Sequence, residues 1–293
     1  MSQEWNNSAL TDLQRCGEMF RRRHIEGERR PRTLPQARGT AVHAAAREAN
    51  LRRMDAAVMS VEEAEDVAAD AFEREVQDGI TPSGDAVDGE ARPDDVDAAK
   101  DFAVDLGGLY AKVVAPTLDV VAVERKVIVR PRDSDLVVHG TMDVITREPA
   151  SVSLVGQLRA SLGLEEQETV EVIRDAKTSE KSPAASAAER SQQLTMYGMI
   201  RSAETGALPG KYVLDYLVRT PGRGLRRHVP LETTRDARDV AALVRRINVA
   251  VAAVKRGVFV PADPALSWWC APRWCEFWSD CPFVNGRRGG GTD

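Results

Sequence analysis

The sequence predicts a single α/β domain with a helical N-terminal section. Two observations carry this. Helical patterns come first and give way near residue 120 to short Val- and Ile-rich runs, followed by helix, strands and helix. The 293 residues, 43% of them hydrophobic, are also enough to bury a sizeable core, and no internal repeat divides them into smaller units.

Residues 8–23 read as a helix, with Ser8 as N-cap and Leu10, Leu13, Met19 and Phe20 near one face. Residues 26–38 are rich in Pro and Arg and read as a loop. Residues 40–58 are Ala-rich without Gly or Pro and read as a second helix. An acidic helix follows over 61–77, then a loop over 78–93 with three Gly and two Pro, then a helix over 96–114. Residues 120–129 and 136–145, with Pro131, Asp133 and Ser134 between them, have the pattern of a β-hairpin. Residues 147–168 read as an irregular surface insertion, 169–176 as a third strand and 187–205 as a helix. Two further strands follow over 211–218 and 225–230, and a long helix over 233–255 capped by Thr233 or Thr234. The tail from Gly257 carries four of the five Trp and three of the four Cys.

Net charge is −5, so a global basic excess is no argument for nucleic acid. The charge is segregated, however. Residues 15–38 hold eight Arg against three Glu, whereas residues 62–105 hold sixteen acids against three bases. Either run can be a solvated face. A local basic run can also hold phosphates, and the acidic run can be a solvating or self-masking insertion. Four Cys are too sparse for a secreted disulfide scaffold, and no run of 18 apolar residues exists to span a membrane. The first residues lack the pattern of a signal peptide. The expected compartment is therefore cytoplasmic, where thiols stay reduced and free to bind metal. An Arg- and Ala-rich, Lys-poor composition points to a GC-rich source, a bacterium or a phage-infected host cell.

Three short stretches combine into one candidate metal site. Gly39-Thr40-Ala41-Val42-His43 places an imidazole in the opening turn of a helix. His139-Gly140-Thr141-Met142-Asp143 places a carboxylate in or at the end of a strand. Arg174-Asp175-Ala176-Lys177-Thr178 closes another strand, where Asp175 and Lys177, two apart, share a face. Asp143 and Asp175 suit a hard divalent cation, His43 adds a nitrogen donor, and Lys177 can hold an attacking water or a phosphate oxygen.

The order Gly-x-x-x-His, a strand Glu (Glu124), Gly-Thr-x-Asp, Asp-x-Lys-Thr and Gln-x-x-x-Tyr (Gln193 and Tyr197) resembles the PD-(D/E)XK nuclease superfamily. The likeness is strongest to its RecB-like and CRISPR-associated exonuclease branch. It runs over nearly the whole chain and implies a restriction-endonuclease-like core, a mixed central sheet flanked by helices. It implies His43, Asp143, Asp175 and the carbonyl of Ala176 as ligands for Mg²⁺ or Mn²⁺. Lys177 would position the nucleophilic water, and Gln193 and Tyr197, i and i+4 on one helix, would reach the substrate strand. Glu124 is either a catalytic carboxylate at the metal or a strand-surface residue paired to Arg125 or Lys126. The connection from Asp143 to Asp175 is longer than usual, which places 147–168 as an insertion at the turn.

Cys16 stands near the start, while Cys270, Cys275 and Cys281 stand in the Trp-rich tail. Thiolates so distributed can ligate one metal centre and staple the two ends, with Cys16 as the only clasp between them; zinc is chemically open. The one-plus-three arrangement is similar to the iron–sulfur exonucleases of the same family, which implies a 4Fe–4S cluster, although the spacing from Cys270 to Cys275 is wider than in that pattern. The domain expected is thus one nuclease unit over 1–293, with a helical acidic insertion over about 60–115 and a clasp of Cys16 plus 265–283.

The function expected is a metal-dependent DNA exonuclease acting on single strands or duplex ends in recombination, repair or processing. Arg21, Arg22, Arg23 and Arg38 are candidates to guide the DNA backbone. Two alternatives stand beside it: a non-catalytic iron–sulfur DNA-binding or assembly module, and a structure-specific endonuclease. The chain has no phosphate-binding Gly-x-x-x-x-Gly-Lys-Ser/Thr loop, so strand separation would need a separate helicase or recombination partner. No membrane partner is expected.

Overall fold

The structure is a computed structural model that describes residues 4–81, 92–131, 136–150, 168–220, 224–272 and 274–284. A six-stranded mixed sheet lies at its centre. Its strands are β1 (Glu4–Trp5), β4 (Asp119–Val129), β5 (Val137–Pro149), β6 (Thr169–Ser179), β7 (Lys211–Thr220) and β8 (Leu225–Thr233). Two short strands, β2 (Arg32–Thr33) and β3 (Ile80–Thr81), pair separately. β5 is the pivot. One of its edges is covered by antiparallel β4 from Arg147 to Val138. Its other edge is shared: β1 pairs in parallel at Val137 and Val138, and β6 pairs antiparallel from Pro149 back to Val144. β6 continues in parallel with β7, and β8 closes the far edge. That edge position is why Pro230 is tolerated inside β8.

Helices cover both faces. On one lie α3 (Leu34–Met54), α4 (Val61–Gln77) and α5 (Pro93–Leu109), which share a core with Ala176 and Leu217. This core is built on alanine: Ala41, Ala45 and Ala49 repeat every four residues on α3 and meet Ala64, Ala68 and Ala71 of α4. Small side chains let the helices approach closely; a Cβ on Gly107 would stand 3.0 Å from that of Ala68. On the other face lie α1 (Asn7–Arg15), α6 (Gln192–Thr205) and α7 (Ala237–Lys255), packed on Ile173, Tyr212 and Leu214. Among the described residues no helix is long and apolar enough to cross a membrane.

Several boundaries differ from the sequence reading, each for a local reason. The first helix is capped by Asn6, not Ser8, and breaks at Cys16, whose backbone is extended (φ −160°, ψ 115°). A single turn, α2 (Gly17–Phe20), follows, and then a π-helical turn over Arg21–Ile25. The break lets Gly17 N–H donate to the carbonyl of Val260 at 2.7 Å. α3 begins at Leu34, inside the expected loop, because Thr33 and Gln36 form a capping box with Pro35 in the first turn. His43 therefore sits in the third turn of α3 and not the first. α5 likewise starts early, at Pro93. α6 starts late, at Gln192, because Arg235 collects the carbonyls of Ala188, Glu189 and Ser191 before the helix can form. α7 is capped by Asp236 with Asp239, not by Thr233 or Thr234. β5, β6 and β8 run longer than expected. Residues 147–149 are strand, and residues 151–167 of the expected insertion lie outside the described residues.

Candidate active site

The site forms where β5 and β6 part. Their antiparallel pairing ends at Val144 and Arg174. Beyond that point β5 runs toward β1 and β6 stays with β7, so a stretch of each strand loses its ladder partner. Asp143 and Asp175 are the first residues past the last pair. The Asp143 carboxylate fills part of the gap by accepting from Ala176 N–H through Oδ2 at 3.2 Å. A side chain thus satisfies a backbone donor that the diverging ladder would orphan.

The expected groups meet here. His43 Nδ1 lies 3.2 Å from Asp143 Oδ2, reaching in from α3. Lys177 Nζ lies 2.6 Å from Asp175 Oδ2 and donates to Gln193 Oε1 at 2.9 Å. Gln193 Nε2 donates to the Tyr197 hydroxyl at 2.7 Å, and that hydroxyl stands 3.5 Å from Asp175 Oδ1. Gln193 and Tyr197 are thus aimed at Lys177 and Asp175. Gly140 makes room for Tyr197: a Cβ there would lie 3.4 Å from its ring and 2.8 Å from Ile200.

Burial governs the electrostatics. Asp175 is 1% exposed. Desolvation, helped by the nearby charge of Asp143, pushes its carboxyl up to about 6 against the pull of Lys177 and His43. Burial would lower Lys177, but Asp175 and Asp143 outweigh it and its ammonium is held above the usual range. His43 follows the same logic: desolvation lowers it, and Asp143 raises it further. Tyr197 is raised by burial beside Asp175.

The donor set fits a hard divalent cation. Asp175 Oδ2 is buried, and its one contact among the described residues is the Lys177 ammonium. Asp143 Oδ1 has no protein partner among the described residues, both contacts of that carboxylate being to Oδ2. Among the described residues no three His, Cys, Asp or Glu side chains stand ready around one point. His43 contacts the Asp143 carboxylate and Lys177 that of Asp175.

A small cavity on the α3 side is lined by His43, Arg47, Glu124, Asp143, Ala176 and Asp215. Glu124 lies level with Asp143, between the pairs Val123–Val144 and Arg125–Met142. Its partner is Arg47 (Nε to Oε2, 2.7 Å) and neither Arg125, which pairs with Glu204, nor Lys126. Arg47 and Asp215, which line the cavity, and His228, which contacts Asp215, escaped the sequence reading. Asp215 is buried and takes two parallel bonds from Arg174, both 2.8 Å, and one contact from His228 at 2.7 Å. Desolvation opposes its ionisation, but His228 and Arg174 hold its carboxyl below the usual range. Asp215 lies opposite Ala176 across the β6–β7 ladder, a register that only the folded sheet creates. Arg47 had a signal, being one helical turn after His43.

The family model of the PD-(D/E)XK nuclease superfamily matches residues 4–282. The chain belongs to this superfamily. Its members are generally metal-dependent DNA hydrolases that use Mg²⁺ or Mn²⁺. No curated protein sequence matches the chain. Among solved structures, the crystal structure of SSO0001 is similar at 15% identity over 78% of this chain and 86% of that one, with a TM-score of 0.36.

In this PD-(D/E)XK chain the basic run is largely engaged in ion pairs. Arg21 pairs with Glu18 and Glu26. Arg22 is buried, pairs with Glu28 and Asp280, and stacks on Phe277 at 4.3 Å. Arg23 joins Asp12 to Glu276. Arg38 pairs with Glu180 and stacks on Phe102 at 4.3 Å. Arg22 and Arg23 therefore tie the N-terminal segment to the tail. Together with the Gly17–Val260 bond and a 3.1 Å bond from Trp269 Nε1 to the carbonyl of Arg15, they correct the expectation that Cys16 is the only clasp.

Cys16, Cys270, Cys275 and Cys281, all free thiols, line one small cavity together with Met19 and Phe277. Ala262 N–H donates to Cys16 Sγ at 3.3 Å. Burial, with the neighbouring cysteines, raises the Cys270 thiol, and it pushes Cys275 up to about 11. Such thiols stay protonated at neutral pH unless a bound cation stabilises the thiolates.

Proposed function

We propose that this chain is a metal-dependent DNA exonuclease of the RecB-like, iron–sulfur type, with one nuclease domain over residues 1–293. The observation that carries the reading is the meeting of His43, Asp143, Asp175 and Lys177 in the gap between β5 and β6. His43, Asp143, Asp175 and the carbonyl of Ala176 would hold divalent ions, which supply Lewis acidity at the scissile phosphate and an activated water. The remaining work belongs to the chain. Lys177, steadied by Gln193 and Asp175, presents an ammonium to the charge that develops on the pentacovalent phosphate. Tyr197 and Gln193 hold Lys177 and Asp175 in place. Within this reading residues 60–115 are a helical insertion over the α3 face. Cys16 with 265–283 forms the clasp, its four cysteines gathered on one cavity as ligands of a 4Fe–4S cluster.

The test is digestion of end-labelled linear DNA, with circular single-stranded DNA beside it, under chelator and after Mg²⁺ or Mn²⁺ add-back. Linear DNA should be degraded from its ends only with metal, and the circle should survive. Asp175→Ala and Lys177→Ala should each lose at least about a hundredfold in rate while still binding DNA. Variants as active as the wild type would overturn the assignment, and cutting of the circle would make the enzyme an endonuclease. Protein purified without oxygen should be brown; stoichiometric zinc without iron would refute the cluster.

A further inference from the structure

We propose that Arg47 is a phosphate-binding residue for the DNA backbone, and that Glu124 occupies its guanidinium until DNA displaces it. The proposal rests on the nuclease reading and adds a substrate contact to it. Arg47 stands one turn after His43 on α3, so both side chains project to the same side of the helix. Both line the cavity that also holds Asp143. A guanidinium here stands on the same cavity as the Asp143 carboxylate. Its side chain is 49% exposed. Nε is engaged by Glu124 at 2.7 Å, while neither terminal nitrogen has a protein partner among the described residues. Two donors in a planar fork are therefore free for one phosphate, the geometry that guanidinium and phosphate share.

The partner is unusual. Glu124 has φ +47°, a left-handed conformation that costs a residue with a Cβ about 1–2 kcal/mol. It is one of two non-glycine residues in that region among those described. The turn of backbone at Glu124 comes where β4 runs level with Asp143, and its carboxylate meets the guanidinium over the cavity. The carboxylate occupies Arg47 in the absence of substrate. A phosphate, with the same charge and the same two-oxygen geometry, can exchange for it.

The experiment measures DNA binding by fluorescence anisotropy in chelator, where no cleavage occurs, so it can fail while the nuclease assay succeeds. Arg47→Gln should bind a short single strand about three- to tenfold more weakly. The slope of log affinity against log salt should shrink by about 0.7, one phosphate contact fewer on a single strand. Glu124→Gln should bind more tightly than wild type, because it releases the guanidinium. In the Arg47→Gln background that gain should vanish; a gain that persists would mean only the removal of a negative charge. An unchanged salt slope for Arg47→Gln, or weaker binding by Glu124→Gln, would overturn the proposal. Oligonucleotides ending in 5′-hydroxyl or 5′-phosphate separate the two sources of the group. An equal loss on both assigns Arg47 to an internal phosphodiester, and a loss confined to the phosphorylated end assigns it to the terminal phosphate.

Discussion

Replacing Gly17 by Ala should loosen the packing of the tail on the N-terminal helices. Gly17 opens α2 directly after Cys16, where the helix breaks to let the tail pass. A Cβ at this position would lie 2.4 Å from the carbonyl carbon of Phe259 and 2.5 Å from the amide nitrogen of Val260, both backbone atoms. Ordinary carbon contacts are about 3.5–4.0 Å, so the tail must withdraw by about 1 Å. That movement breaks the 2.7 Å bond from Gly17 N–H to Val260 and disturbs the neighbouring bond from Ala262 to the Cys16 sulfur. Overpacking costs about 1–3 kcal/mol. Leaving the N–H of buried Gly17 without its partner costs about 1–3 kcal/mol more. Alanine's better helix propensity offsets up to about 1 kcal/mol of this. The expected loss in urea denaturation is therefore about 1–6 kcal/mol, from these overpacking, hydrogen-bond and propensity terms. The four thiols should react faster with a thiol reagent in native buffer. A variant within about 0.5 kcal/mol of wild type, its thiols equally protected, would show that this approach is not a constraint.

Two further outcomes follow from buried polar groups. The Tyr212 hydroxyl is buried without a hydrogen-bond partner among the described residues, pressed against α6 where Gly198 leaves room for it. Tyr212→Phe should therefore be neutral or stabilising by about 1 kcal/mol, and a destabilisation of more than that in thermal or urea unfolding would refute the reading of an unpartnered hydroxyl. Asp215 ionises more readily folded than unfolded, because Arg174 and His228 surround it. Its contribution is thus fully present above the ordinary carboxylate pKa of 3.8 and is lost as pH falls below that value through the lower folded pKa. The stability difference between wild type and Asp215→Asn should be largest at neutral pH, of the order of 3 kcal/mol for a broken buried pair, and should narrow in acid. A difference that stays constant from neutral pH to below 3.8 would contradict the assignment.

Much of the fold was legible because it is written in local pattern. The acidic helix over Val61–Gln77 begins at its Ser60 and Glu63 capping box, and Val/Ile runs mark the strands that carry the site. Where the boundaries were misread, the deciding partner was remote or the local signal was masked. Thr33 with Gln36 starts a helix inside a Pro- and Arg-rich stretch, and Arg235 delays α6 from more than forty residues away. The site divides in the same way. Asp175 and Lys177 share a strand face by the two-residue repeat alone, and Gln193 and Tyr197 share a helix face by the four-residue one. Pairing alternatives drawn from neighbours in sequence could not reach the contact between Glu124 and Arg47, which joins β4 to α3.

The sequence by itself determined the chemical groups and their local order: an imidazole on a helix, carboxylates and an ammonium on strands, one thiol early and three late. Only the tertiary structure decided that β5 and β6 separate one residue before both carboxylates, that Asp215 lies opposite Ala176, and that four thiols share one cavity. The physical reason is range. Backbone periodicity is set by near neighbours. The end of a ladder and the closing of a tail on a helix break depend on steric and hydrogen-bonding partners that become neighbours only when the chain has folded.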